Sequence, residues 1–112
     1  MMNITTHILN TSEGKPAAAV EVYLYFQDEN SWIEISRAIT NKDGRITRFE
    51  LNNDELSPGI YKLKFETKQY FENLSVASFY PFVEITFNAS ASEHYHVPLL
   101  LNPFGYSTYR GT

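Results

Sequence analysis

Hydrophobic and polar residues alternate with a period of two along most of this chain. Val20, Val22, Leu24 and Phe26 fall on one side of an extended backbone, with Glu21, Tyr23, Tyr25 and Gln27 on the other. Tyr61, Leu63 and Phe65 alternate with Lys62, Lys64 and Glu66, and Val83, Ile85 and Phe87 with Glu84, Thr86 and Asn88. Ile33, Ile35 and Ile39 are expected to share a face of the run between. Such alternation marks strands with one buried and one wet face. Between the runs lie Ser12-Glu13-Gly14-Lys15-Pro16, Asn41-Lys42-Asp43-Gly44 and Ser57-Pro58-Gly59. Glycine supplies a positive φ in such turns and proline presets φ. The pattern predicts strands over 4–9, 20–27, 32–40, 45–49, 60–66, 82–89, 94–101 and 105–110. One segment departs from it. Tyr70, Phe71 and Leu74 have a helical spacing, so a short helix is expected over 67–74 with Thr67 as its N-cap. The resulting expectation is all-β, a mostly antiparallel β-sandwich with one small helix. Residues 1–112 form a single domain without repeat or linker.

Composition narrows the function. At 112 residues the chain can hide roughly 60–70% of its extended surface, enough for one core. Hydrophobic residues make up 43% and aromatics 15%, which excludes a disordered or low-complexity chain. There is no cysteine, hence no disulfide, thiolate metal site or cysteine nucleophile. Net charge is −4 and no basic run occurs, so the electrostatic footprint of a nucleic-acid binder is missing. No secretion signal and no apolar run of about 20 residues is present, and a soluble cytoplasmic protein is the expectation.

The candidate chemistry lies with a few residues. His7, His94 and His96 are the side chains that titrate near neutrality unperturbed. On a strand, His94 and His96 point to one face about 6–7 Å apart. His7 points away from the face of Ile4 and Ile8. Pro98 lacks a ladder donor, which argues for an edge or a bulge beside the histidine pair. Three histidines can make a zinc site with an open position, but neither neighbouring run supplies an obvious carboxylate partner, and metal is the weaker reading. Arg45 comes directly after Asp43-Gly44, so its turn can aim a guanidinium into a cleft, where its planar fork suits an anion or a developing oxyanion. Leu99-Leu100-Leu101 implies burial on both strand faces, the second most simply under another subunit. Tyr109-Arg110-Gly111-Thr112 packs a cation and two hydroxyls into the last four residues. No nucleophile elbow, phosphate-cradling glycine loop or paired-carboxylate signature is seen.

In this order these residues resemble the 5-hydroxyisourate hydrolases, the transthyretin-related proteins of purine catabolism. The resemblance is carried by His94-Tyr95-His96-Val97-Pro98-Leu99-Leu100-Leu101 and by Pro103-Phe104-Gly105-Tyr106-Ser107-Thr108-Tyr109-Arg110-Gly111-Thr112. It extends through Thr6-His7-Ile8-Leu9, Gly14-Lys15-Pro16-Ala17, Asn41-Lys42-Asp43-Gly44-Arg45 and Phe79-Tyr80-Pro81, essentially the whole chain. The terminal Tyr-Arg-Gly-Ser/Thr tetrapeptide separates these hydrolases from the hormone carrier transthyretin. Asn10 and Asn102 depart from the usual aspartate and serine, outside the catalytic set.

The resemblance implies a transthyretin-like sandwich of seven to eight strands. It also implies a homotetramer with active sites at the dimer–dimer interface, and no metal or other cofactor. The family's catalytic set falls on His7, Arg45 and His96, and its substrate-binding tail on Tyr109, Arg110, Gly111 and Thr112. His94 stands outside the catalytic set. The implied reaction hydrolyses 5-hydroxyisourate to 2-oxo-4-hydroxy-4-carboxy-5-ureidoimidazoline. A carrier without turnover and a histidine-ligated metal hydrolase are the competing readings.

Overall fold

A computed structural model describes residues 2–52 and 55–112. The elements run β1 (Asn3–Asn10), β2 (Lys15–Pro16), β3 (Glu21–Asp28), β4 (Ser31–Ile39), β5 (Arg45–Ile46), β6 (Gly59–Phe65), α1 (Thr67–Asn73), β7 (Val83–Ala89), β8 (His94–Asn102) and β9 (Gly105–Thr108). They form two sheets. One has the order β2-β1-β8-β9, with β5 also on β1, and the other the order β4-β3-β6-β7. Their inner faces meet in a β-sandwich. Ile4, Ile8, Val22, Leu24, Leu63, Phe65, Leu99 and Leu101 are almost wholly buried there, each gaining about 1.5–3 kcal/mol by leaving water. Among the described residues no helix is long and apolar enough to cross a membrane.

The alternating pattern predicts these strands well, and the departures have local causes. Ile33, Ile35 and Ile39 do not share a face. The β3–β4 register shifts between Leu24, which faces Ser36, and Tyr25, which faces Glu34. Ile35 is therefore the extra residue of a bulge. Beyond it Ile39 pairs with Glu21 and is 61% exposed. The fourth predicted strand contracts to Arg45–Ile46, although Phe49 still reaches the core. Lys15–Pro16, read as turn, adds a two-residue strand to the edge of β1. Thr67 is not the cap of α1. Glu66 takes that position without a side-chain bond, and Thr67 is the first helical residue. Thr67, Tyr70 and Phe71 form the buried stripe, while Leu74 at the helix end is exposed. Thr67 Oγ1 finds no hydrogen-bond partner among the described residues.

Two features of the first sheet position the histidines. The first is that β1 and β8 pair in parallel over their whole length, from Asn3 opposite His94 to Asn10 opposite Leu101. Parallel neighbours need a long connection, and here most of the chain supplies it. The second is that β8 lies between β1 and β9 and keeps one register with β1 through Pro98, while on its β9 side Pro98 sits at a gap in the ladder. The proline is tolerated because its carbonyl accepts a bond from Thr108 Oγ1 at 2.7 Å. Its ring nitrogen faces that same β9 side, where the ladder has already ended at Leu99 opposite Thr108. Leu99 and Leu101 are core residues, and Leu100 on the other face is half-buried.

Candidate active site

The register of the first sheet gathers the titratable residues on its outer face. Thr6 and Ile8 point into the core, so Thr5 and His7 point outward. Thr5 is directly opposite His96, and His7 is opposite Pro98 on one side and Arg45 on the other. Residues opposite one another share a face. His7 from β1, Arg45 from β5 and His94 and His96 from β8 therefore stand on a single surface.

Arg45 owes its placement to the turn before it. Asn41 Oδ1 accepts bonds from the backbone N–H of Asp43 at 2.9 Å and of Arg45 at 3.0 Å. Gly44 closes the turn at φ +73°, and its carbonyl accepts the Ile8 N–H at 2.8 Å. A side chain at Gly44 is excluded, since a Cβ would lie 2.5 Å from the Ile8 carbonyl oxygen. The loop is thereby sewn onto β1 beside His7.

Arg45, His94, His96 and Thr112 line one open groove of about 330 Å³, floored by Thr5 and Thr6. His7 stands next to it, as the partner of Arg45 across the β1–β5 pair. Thr5 is buried, and its Oγ1 lies 2.8 Å from His94 Nε2 and 2.8 Å from His96 Nδ1. The two imidazole centroids are 6.2 Å apart, close to the separation expected of alternate strand residues. Among the described residues no three histidine, cysteine or acidic side chains are grouped to hold a metal ion.

The electrostatics favour neutral imidazoles. His96 is held below the ordinary 6.5 by burial, then by the charges of Arg45, His94 and His7. Burial and Arg45 likewise lower His7, partly offset by the carbonyl and carboxylate of Asp43. An imidazole that stays unprotonated at neutral pH keeps a lone pair available for a proton.

The C-terminal tail divides between two places. The Gly111 N–H donates to the His96 carbonyl at 2.8 Å, and a Cβ on Gly111 would sit 2.6 Å from His96 Cδ2. Glycine thus lets the tail lie against the imidazole and brings Thr112 to the groove. Tyr109 and Arg110 instead line a second recess of about 260 Å³ with Ile85, Phe87, Tyr95 and also His96. Arg110 Nη2 is 2.6 Å from Glu93 Oε1, and its guanidinium lies 4.8 Å over the Tyr95 ring. Within one chain, Tyr109 and Arg110 therefore share His96 with the groove but do not line the groove itself.

A model of the HIUase/transthyretin family matches residues 4–111. The chain belongs to the HIUase/transthyretin family. A fission yeast relative, the probable 5-hydroxyisourate hydrolase of Schizosaccharomyces pombe, is 46% identical over 112 residues, covering 97% of this chain and 90% of the relative. The solved 5-hydroxyisourate hydrolase of Klebsiella pneumoniae is 35% identical with a TM-score of 0.85, covering 98% of this chain and 99% of that one. Sea bream transthyretin in complex with thyroxine superposes with a TM-score of 0.90 but is only 27% identical, covering 98% and 95%. Backbone likeness alone does not divide the hydrolases of this family from the carrier.

Sequence reasoning missed Thr5. It carries no motif, and its place between the two imidazoles depends on a register between strands separated by 89 to 91 residues. The available signal was its position two residues before His7, on the same strand face.

Proposed function

We propose that this chain hydrolyses 5-hydroxyisourate to 2-oxo-4-hydroxy-4-carboxy-5-ureidoimidazoline, as a cytoplasmic homotetramer. The observation that carries the reading is the meeting of two proton-accepting imidazoles and one guanidinium on a single exposed sheet face, beside the glycine-bearing tail. The high identity to relatives named for this hydrolysis supports it.

The geometry supports a division of labour. Thr5 engages His96 Nδ1, so His96 Nε2 is the nitrogen left for water. His96 takes a proton from water as it attacks the ring carbonyl, and returns it to the departing ring nitrogen. Arg45 stabilises the negative charge that develops on the attacked oxygen. His7, neutral beside Arg45, accepts a hydrogen bond from a substrate N–H and fixes the ring. The tail acts as one wall of the substrate pocket. Thr112 lines it directly, Gly111 packs against His96, and Tyr109 and Arg110 hold the tail in place, Arg110 through Glu93 and Tyr95. A tetramer with sites at the dimer–dimer interface would cover this open face and exclude water from the groove.

The test is the decay of freshly generated 5-hydroxyisourate, measured by absorbance with and without EDTA. Acceleration unaffected by the chelator is expected. Binding of aromatic ligands without acceleration would establish a carrier, and loss of activity to EDTA with recovery on zinc addition would establish a metal hydrolase.

A further inference from the structure

The Thr5 hydroxyl has one hydrogen to give, yet it faces a ring nitrogen of each histidine at hydrogen-bonding distance. A hydroxyl can donate once and accept from its other neighbour. Only two arrangements satisfy all three groups. In the first, His96 Nδ1–H donates to Thr5 and Thr5 donates to His94 Nε2, leaving the lone pair of His96 Nε2 open to the groove. In the second, His94 Nε2–H donates to Thr5 and Thr5 donates to His96 Nδ1, so that His96 carries its proton on Nε2. The tautomers of the two histidines are therefore tied together. A protonated His94 permits only the second.

We propose that Thr5 is a positioning residue that sets the tautomer of His96 and passes a proton between His96 and exposed His94 during turnover. This rests on the hydrolase reading with His96 as base. When His96 Nε2 takes a proton from the attacking water, its Nδ1 proton moves to Thr5 Oγ1 and the Thr5 hydroxyl proton moves to His94 Nε2. The positive charge then sits on His94, and His96 is neutral with its proton on Nε2. Delivery of that proton to the departing nitrogen reverses the chain. His94 returns its proton to Thr5, and Thr5 returns one to His96 Nδ1. No proton is gained or lost over the cycle.

The surroundings favour this movement of charge. His96 is faced by Arg45 from β5 and His7 from β1, both of which oppose a second cation at that ring. Asp43, on the turn before Arg45, acts chiefly on His7. His94 is solvent-exposed at the strand end, with Glu93 beside it in sequence, although that carboxylate is engaged by Arg110. Burial of Thr5 keeps competing solvent from its hydroxyl.

The experiment compares the wild type with Thr5→Val, which removes the hydroxyl at constant shape, and Thr5→Ser, which restores it. Imidazole 15N NMR of the free protein reads the tautomers without reference to turnover. In the wild type the two tautomers are expected to switch together, His96 carrying its proton on Nδ1 when that of His94 is on Nδ1, and on Nε2 when that of His94 is on Nε2. In Thr5→Val this switch disappears and kcat falls about tenfold with KM little changed, the worth of one hydrogen bond to a charged group. Thr5→Ser should regain the switch and recover kcat to within about twofold. His96 protonated on Nδ1 while His94 is protonated on Nε2 would overturn the proposal. So would an unchanged kcat in Thr5→Val, or a Thr5→Ser variant as slow as Thr5→Val. A wild-type protein without hydrolysis would instead defeat the functional reading, leaving the NMR result to judge the coupling by itself.

Discussion

His7 and Arg45 are directly opposed partners across the β1–β5 pair. Partners in such a pair stand with Cβ atoms about 4.5–5.5 Å apart on the same face. A permanent cation at that distance discourages a second one, so Arg45 helps keep His7 in the form that can accept a proton. Two-residue β5 is short, yet it fixes the one relationship on which the charge balance of the outer face depends.

Loss of any member of the set should abolish efficient turnover without unfolding the protein. For His7→Ala, Arg45→Ala or His96→Ala, kcat is expected to drop about 10²–10⁴-fold. Far-UV circular dichroism and the melting transition should stay close to wild type, because all three side chains leave the core untouched. Near-normal substrate decay in His96→Ala would contradict the assignment.

The histidines also set a pH dependence. His7 and His96 are both lowered from 6.5 in the folded chain. The unfolded chain therefore binds more protons than the folded one in the window just below that value, and stability rises with pH there. The stabilisation is complete above about 6.5 and is lost as pH falls through the folded values. Urea midpoints between pH 7.5 and 5 should show this decline. The acid limb of kcat/KM should lie below 6.5 for the same reason, since both imidazoles must be neutral. Arg45→Gln should raise both histidine titrations, as read by NMR.

Backbone economy at the Asn41–Arg45 turn gives a stability contrast. Gly44→Ala forces a Cβ to within 2.5 Å of the Ile8 carbonyl oxygen at a positive φ, and should cost about 2–4 kcal/mol. Gly14 has a similar φ of +69° but open space around it, so Gly14→Ala should cost only about 1–2 kcal/mol. Chemical denaturation of the two variants checks the difference. Gly44→Ala should also slow hydrolysis, by displacing Arg45, where Gly14→Ala should not.

Gly111→Ala places a methyl group 2.6 Å from His96 Cδ2 and 3.1 Å from Pro98 Cγ. The imidazole or the tail must move. Turnover should fall by about tenfold or more while stability changes by less than about 1 kcal/mol, as expected of a residue at a strand end. Deleting Tyr109–Thr112 should lower turnover further, since it removes the groove wall and its anchor together.

Much of the architecture was readable from residue order. The alternation of Val22, Leu24, Leu63 and Phe65 identified the inner face of one sheet, and Leu99 with Leu101 that of the other. The Asn41–Gly44 turn announced that Arg45 would be aimed, and the His94–His96 separation came from strand geometry. What periodicity could not supply was the pairing of distant strands. Placing Thr5 between two imidazoles requires knowing that β1 lies parallel to β8 and in which register. The bulge that turns Ile39 outward was equally hidden, because an isoleucine pattern looks the same with or without one inserted residue. Pro98 pointed to an interrupted ladder, and the interruption lies on its β9 side, between the Leu99–Thr108 pair and the His96–Gly111 bridge.

The parallel pairing of β1 with β8 has a consequence for biosynthesis. Of the two strands that hold the groove, β1 emerges from the ribosome well before β8, with the entire second sheet made in between. A nascent chain halted before His94 would already carry His7 and Arg45, yet β1 would have one flank bare, a ready template for pairing with another chain. Such non-local closure makes folding slow. Activity should accordingly appear only once β8 has been made and has paired with β1, and translation stalled before β8 should yield aggregates rather than partly active protein.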